Sequence, residues 1–170
     1  MGGYPKIDYP PLLAPGRHYM TLQEIQNTCV EPFFGEERAH RKKLFYALEE
    51  FIQKLLVARI RCDVFLDGSF VTRKPFPDDV DVIVSTELAG YERLSEEQLN
   101  LLDSVNRDGF ILGVQSFSMV RYPREHERFG SAADLGNAGE AYGVEHGQQW
   151  LKGYIVIRLW ETDVGNRICR

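Results

Sequence analysis

A chain of 170 residues with 44% hydrophobic and 12% aromatic side chains has the size and apolar content of one folded domain, which argues against disorder. Its net charge of -5 supplies no general attraction to nucleic acid or to an acidic membrane, and no window approaches the roughly 20 apolar residues of a membrane span. Cys29, Cys62 and Cys169 are far apart and odd in number, so they fit neither a disulfide framework nor a metal spacing; free thiols suit the cytoplasm.

Residues 1–17 hold four prolines and three glycines, and residues 1–20 are expected to form an extended arm. No signal peptide is evident there, and Lys6 stands where a myristoylation motif wants Ser or Thr. Residues 21–170 are expected to form a single domain. "TLQE" at Thr21 is a capping box that starts a short helix, which "EPFFGEE" ends. From Glu37 to Arg59, Leu44, Leu48, Phe51, Ile52, Leu55 and Leu56 recur at helical spacing. "RAHRKK", Arg38 to Lys43, reads first as the solvated face of that helix, with a nucleic-acid contact as the second reading, one that the net charge does not indicate.

Strands are expected at Cys62–Asp67, Asp79–Val84, "GVQSFSMVRY" and "GYIVIRLW", with a capped helix from Ser95 between the second and third. "GSAADLGNAGEAYG" reads as a loop or lid and "VEHGQQWLK" as a short helix. Trp150, Trp160 and Cys62 are expected in the core. His18, His40, His126 and His146 have no ligand spacing and are expected in structural or surface roles. The fold class is α/β of the α+β kind: a mixed sheet of about four strands with helices packed on it.

One stretch does not fit a plain buried strand. "LDGSFVTRKPFPDDVDVIV", Leu66 to Val84, sets two aspartates at alternate positions at the start of an apolar run. Asp79, Asp81 and Ile83 share one face, with successive Cα atoms about 6.5–7 Å apart, and Val80, Val82 and Val84 share the other, toward the helices. Buried carboxylates need a partner. Two hard oxygen donors at this spacing can share Mg2+, and the preceding Gly68-Ser69 turn offers N–H groups and a hydroxyl to phosphate. Without its context, the same Gly-Ser turn would be only a hairpin with a polar edge.

In that order of strand, Gly-Ser, a gap over residues 70–78 and Asp-Val-Asp-Val, the segment resembles the nucleotidyltransferase fold of the DNA polymerase beta superfamily, in particular its minimal nucleotidyltransferases. The arm and "PGRHYMTLQE" resemble a group of short, uncharacterised bacterial proteins with this fold. The resemblance implies Mg2+ held by Asp79 and Asp81 as catalytic and metal ligands. It implies a nucleoside triphosphate, ATP first among them, with its phosphates at Gly68 and Ser69 and its charge screened by Lys74 or Arg73. The implied reaction is transfer of a nucleoside monophosphate to a hydroxyl on a protein, an RNA end or a small molecule.

Active members of that family carry a third carboxylate on a later strand. Here that strand, "GVQSFSMVRY", has none. By strand parity Ser116 or Ser118 is expected to face the aspartate pair, with Phe117 and Met119 in the core. Whether the chain is an enzyme therefore stays open. The alternative is a catalytically degenerate module acting through a protein encoded nearby, as in a toxin–antitoxin or defence gene pair.

Overall fold

The computed structural model describes residues 8–129 and 152–160. It is a mixed α+β fold. Five strands, β1 (Gly16–Tyr19), β2 (Cys62–Asp67), β3 (Val80–Glu87), β4 (Val114–Arg121) and β5 (Gly153–Leu159), form one sheet in the order β1-β5-β2-β3-β4. Strand β2 is antiparallel to both its neighbours, β3 and β5, whereas β4 runs parallel to β3 and β1 parallel to β5. The helices are α1 (Leu22–Cys29), α2 (Gly35–Val57), the single turn α3 (Leu88–Tyr91) and α4 (Glu96–Val105). The expected loop and short helix between β4 and β5 lie outside the described residues, as do Trp150, His146 and Cys169.

Local chemistry sets the helix ends. Thr21 caps α1 through a reciprocal capping box with Glu24, and Ser95 does the same for α4 with Gln98. Helix α2 carries Glu36 and Glu37 in its first turn, where carboxylates oppose the helix dipole. It ends at Arg59, which takes a left-handed φ of 55° while Ile60 N–H donates to Leu55 O and Arg59 N–H to Leu56 O, the bonds of a Schellman motif.

Alternation along the strands sorts side chains to two faces. Val64, Leu66, Val80, Val82, Val84, Ile155 and Ile157 meet Leu48, Phe51, Ile52 and Leu55 of α2 in the main core. Each such side chain contributes roughly 1.5–3 kcal/mol by leaving water. On the other face Phe65, Ile83, Met119, Tyr154 and Val156 form a smaller buried cluster. Cys62 is buried in the main core as expected, but Trp160 is only half-buried, its ring flanked by the guanidinium groups of Arg61 at 4.7 Å and Arg158 at 4.2 Å.

The described part of the arm, from residue 8, includes an edge strand of the sheet. Residues 16–19 pair with β5, Leu12 N–H donates to Val71 O and Arg73 N–H donates to Pro10 O. The chain from Pro10 onward therefore braces the segment that follows β2.

The basic run at the start of α2 divides in two. Arg38, Lys42 and Lys43 are exposed, as expected of a solvated face, but Arg41 is completely buried. Its Nη1 donates to Cys29 O at 2.9 Å and Phe70 O at 2.8 Å, and its Nη2 donates to Thr72 O and Lys74 O, both at 2.6 Å. The guanidinium lies over the Phe33 ring at 3.7 Å. Burial pulls its pKa down to about 10, with the nearby Cys29 and Glu37 acting in the opposite direction, so it stays charged at neutral pH. One turn face away, His40 Nε2 lies 2.6 Å from Pro77 O, and its ring meets Phe76 edge to face, a structural role as expected.

Replacing Arg41 by Met should destabilise the protein by on the order of 3 kcal/mol, because several buried carbonyls lose their donor. Arg41→Lys should recover little of this, since an ammonium cannot present a planar fork to four oxygens. Urea unfolding of the three proteins checks both expectations.

Candidate functional site

At the end of β2 the chain does not make a tight hairpin turn. Residues Gly68–Val71 wind into one 3-10 turn, and the chain then loops back to β3. Thr72 holds the turn closed: its N–H and its hydroxyl both donate to Ser69 O, at 3.2 and 2.9 Å. Arg41 and the arm fix residues 70–74 from outside. The Gly-Ser turn is thus a rigid corner against which β3 begins.

Gly68 has φ +72°, and a Cβ built on it would overlap Asp81 Oδ2 and stand 2.6 Å from Asp81 Cγ. Glycine is needed here twice over, for the left-handed backbone and for the space that the Asp81 carboxylate takes. The turn and the aspartate strand, read from sequence as one segment, are in contact.

Register places the other groups. Asp67 is the direct cross-strand partner of Asp81, and Asp81 is in turn the partner of Gln115 on β4. Cross-strand neighbours have Cβ atoms about 4.5–5.5 Å apart and share a face. Asp67, Asp81 and Gln115 therefore form one polar row across three strands, bordering the Phe65–Ile83 part of the smaller apolar cluster. Asp79 lies just before β3 and is half-buried.

Asp67 and Lys152 were not singled out by sequence reasoning. Asp67 closes the alternation Asp63-Phe65-Asp67 on β2, and that alternation was the available signal. Lys152, just ahead of β5, is 2% exposed and sets its Nζ 2.8 Å from Asp67 Oδ1. Burial pushes the Asp67 carboxyl up to about 6, against the pull of Lys152 and a hydrogen bond from Gly68 N–H, with Asp81 adding to the rise.

Two sequence expectations need revision. Ser116 and Ser118 do not face the aspartates. They pair with Val82 and Val84 on the helix side, where Ser116 Oγ donates to Val105 O at 2.8 Å and Ser118 Oγ accepts from Asn106 Nδ2 at 3.0 Å. These bonds to the end of α4 are why serines occupy that face. Phe117 is correspondingly not a core residue: it shares the aspartate face and is 49% exposed. The position beside Asp81 belongs to Gln115.

Lys74 forms an ion pair with Asp78 within its own loop, at 2.7 Å, and its carbonyl is held by Arg41. Ser69 stays half-buried at the turn. Among the described residues no group of three or more His, Cys, Asp or Glu side chains stands where it could hold a metal ion by itself. Two carboxylates fall short of a closed protein cage for a cation; Mg2+ characteristically takes one or two carboxylates and fills the rest of its shell with water and phosphate oxygens.

Gly68→Ala should cost on the order of 3 kcal/mol, from the left-handed backbone and the overlap with Asp81. In a double-mutant cycle with Asp81→Ala the two losses should fall short of additive, because the smaller side chain relieves part of the overlap. For Asp67, a folded-state pKa above the unfolded value means that its contribution to stability is full below about pH 4 and is lost as pH rises through about 6. Asp67→Asn should remove that component from the pH dependence of urea unfolding between pH 4 and 7.

No curated protein and no solved structure matches this chain. A protein-family model described as a family of unknown function (DUF6932) matches residues 5–157. The chain belongs to that family.

Proposed function

We propose that the corner built by Gly68, Ser69, Asp79 and Asp81 binds a nucleoside triphosphate together with Mg2+, and that the chain transfers the nucleoside monophosphate to a hydroxyl acceptor. The observation that carries this reading is the packing of Gly68 against the Asp81 carboxylate. A turn able to present N–H groups to phosphate and an acid able to ligate a cation meet with no side chain between them.

Mg2+ held by Asp79 and Asp81 would draw charge from the phosphate oxygens during displacement at the α-phosphorus. Gly68 lets the phosphates approach the backbone, and the Ser69 hydroxyl donates to a distal phosphate oxygen. In the reaction the acceptor oxygen forms a bond to the α-phosphorus as the bond to the bridging pyrophosphate oxygen breaks. The hydroxyl proton passes to water and pyrophosphate leaves.

Gln115 favours a second reading. It stands beside Asp81 on the strand where an acid would complete the site, and an amide carries no charge to bind a cation or take a proton. On this reading the corner still binds nucleotide, but transfer is weak or absent and the chain works through a protein partner. No helix among the described residues is long and apolar enough to cross a membrane, so the described fold offers no span to place the site at one.

Calorimetry with Mg2+ and a non-hydrolysable triphosphate tests the binding step. Asp79→Ala and Asp81→Ala should each abolish cation-dependent binding while the fold persists, and unchanged binding in both would remove the site. Ser69→Ala should weaken triphosphate binding by about 1–2 kcal/mol and monophosphate binding less. Labelled-nucleotide transfer into a lysate separates the two readings: Gln115→Glu should raise transfer if the missing charge limits it.

A further inference from the structure

We infer that Asn106 guards the outer edge of the sheet: its side-chain amide takes the middle of the free side of β4 and keeps a second copy of this chain from adding its own β4 there. The guard is independent of what the corner binds.

Strand β4 is the outermost of the described strands on its side of the sheet. Its ladder with β3 fixes which way each backbone group points. Val80 N–H donates to Gly113 O, and Val80 pairs with Val114 in parallel register. In such a ladder alternate residues of a strand turn their backbone groups to opposite sides. Gln115, Phe117 and Met119 therefore turn theirs toward β3, and Val114, Ser116, Ser118 and Val120 turn theirs outward.

Edges of this kind are commonly protected by charge or proline. From Val114 to Val120 the strand has neither, and Phe117 on its aspartate face and Leu112 just ahead of it are exposed. The protection comes from hydrogen bonds instead. Val114 N–H donates to Ile111 O at 3.1 Å, within the turn that leads into the strand. Ser118 N–H donates to Asn106 Oδ1 at 2.7 Å. Asn106 is the C-cap of α4, and its Nδ2 is anchored on Leu102 O at 3.2 Å and Ser118 Oγ at 3.0 Å. Along the outward series Val114, Ser116, Ser118, Val120, the first and third N–H groups are thus taken. A strand that adds to an edge needs successive outward residues to form a ladder, and no two in succession remain.

Without the Asn106 side chain, Ser116, Ser118 and Val120 would form one uninterrupted outward run, and that run is complementary to itself. About a two-fold axis at Ser118, Ser118 of one copy opposes Ser118 of the other, and Ser116 opposes Val120, each pair exchanging both hydrogen bonds. Phe117 then lies across from Met119 on the same face, where its exposed ring gains an apolar neighbour.

Hydrogen exchange of the full chain tests the contact. In wild type the Ser118 amide should exchange about tenfold more slowly than those of Ser116 and Val120 on the same edge. Light scattering tests the guard. Asn106→Ala should have about twice the mass of wild type and dissociate on dilution. Asn106→Asp keeps an oxygen for Ser118 N–H and should keep the wild-type mass. The double variant Asn106→Ala/Ser118→Pro removes the freed donor, which the ladder with β3 does not use, and should also return to the wild-type mass. Circular dichroism establishes that each variant is folded.

A Ser118 amide that exchanges as fast as Ser116 and Val120 would overturn the inference, as would folded Asn106→Ala at the wild-type mass. A doubled mass in Asn106→Asp, or one that persists in the double variant, would overturn it too. Should Asn106→Ala not fold, the exchange rates in wild type and the mass of Asn106→Asp decide.

Discussion

Four carbonyl oxygens converge on the Arg41 guanidinium, one from the end of α1 and three from the segment after the Gly-Ser turn. That segment has no regular ladder of its own to satisfy its backbone, and a buried carbonyl without a donor is costly. Arg41 meets the need from a helix that is itself anchored by Leu44, Leu48 and Phe51 in the main core. The geometry of the corner therefore derives from the packing of α2 on the sheet. If α2 shifted, the loop would follow, and the contact between Gly68 and Asp81 would open.

The sheet separates two tasks by face and by end. Its helix side is almost wholly apolar, and its other side has a small apolar cluster with polar groups at both ends. At one end lie Asp67, Asp81, Gln115 and Lys152. At the other, buried Asp63 takes Arg158 at 3.0 Å and Arg121 at 3.6 Å, and Arg121 also pairs with Glu87. Both ends bury a carboxylate beside a cation, but they differ in surroundings. Asp63 has arginines, whose forks lock a carboxylate in place, whereas Asp67 has a lysine and sits beside a second acid, itself packed on the Gly-Ser turn. The first arrangement reads as structure; the second is the corner proposed above to take a nucleotide.

Four of the five described strands, the long helix and both capping boxes were legible because each is written in local pattern: alternation, 3.6-residue spacing, and Thr or Ser three residues before Glu or Gln; β1 lay hidden in the arm. The aspartate face of β3 followed from the same alternation. What was not legible depends on register between distant segments. Strand parity on β4 offered two faces, and the apolar character of Phe117 favoured the wrong one, because serines can lie on a core-facing side when a helix end needs hydrogen-bond partners. Arg41 looked like one cation among four in a basic run, and nothing local marks the one that turns inward. Lys152 meets Asp67 from 85 residues away, a distance across which spacing carries no information.

The strand order has a consequence for how the chain is made. Strand β5, the last of the described strands to be synthesised, lies between β1 and β2, among the first. Until residues 153–159 have been synthesised, β2 can pair with β3 but shows a bare row of backbone donors and acceptors along its other side, and β1 has no partner in the sheet. Such an edge invites pairing with another chain. A nascent or truncated form that stops before β5 would hold the aspartates and the Gly-Ser turn yet remain prone to self-association, so the final strand protects the sheet as well as delivering Lys152 to its corner.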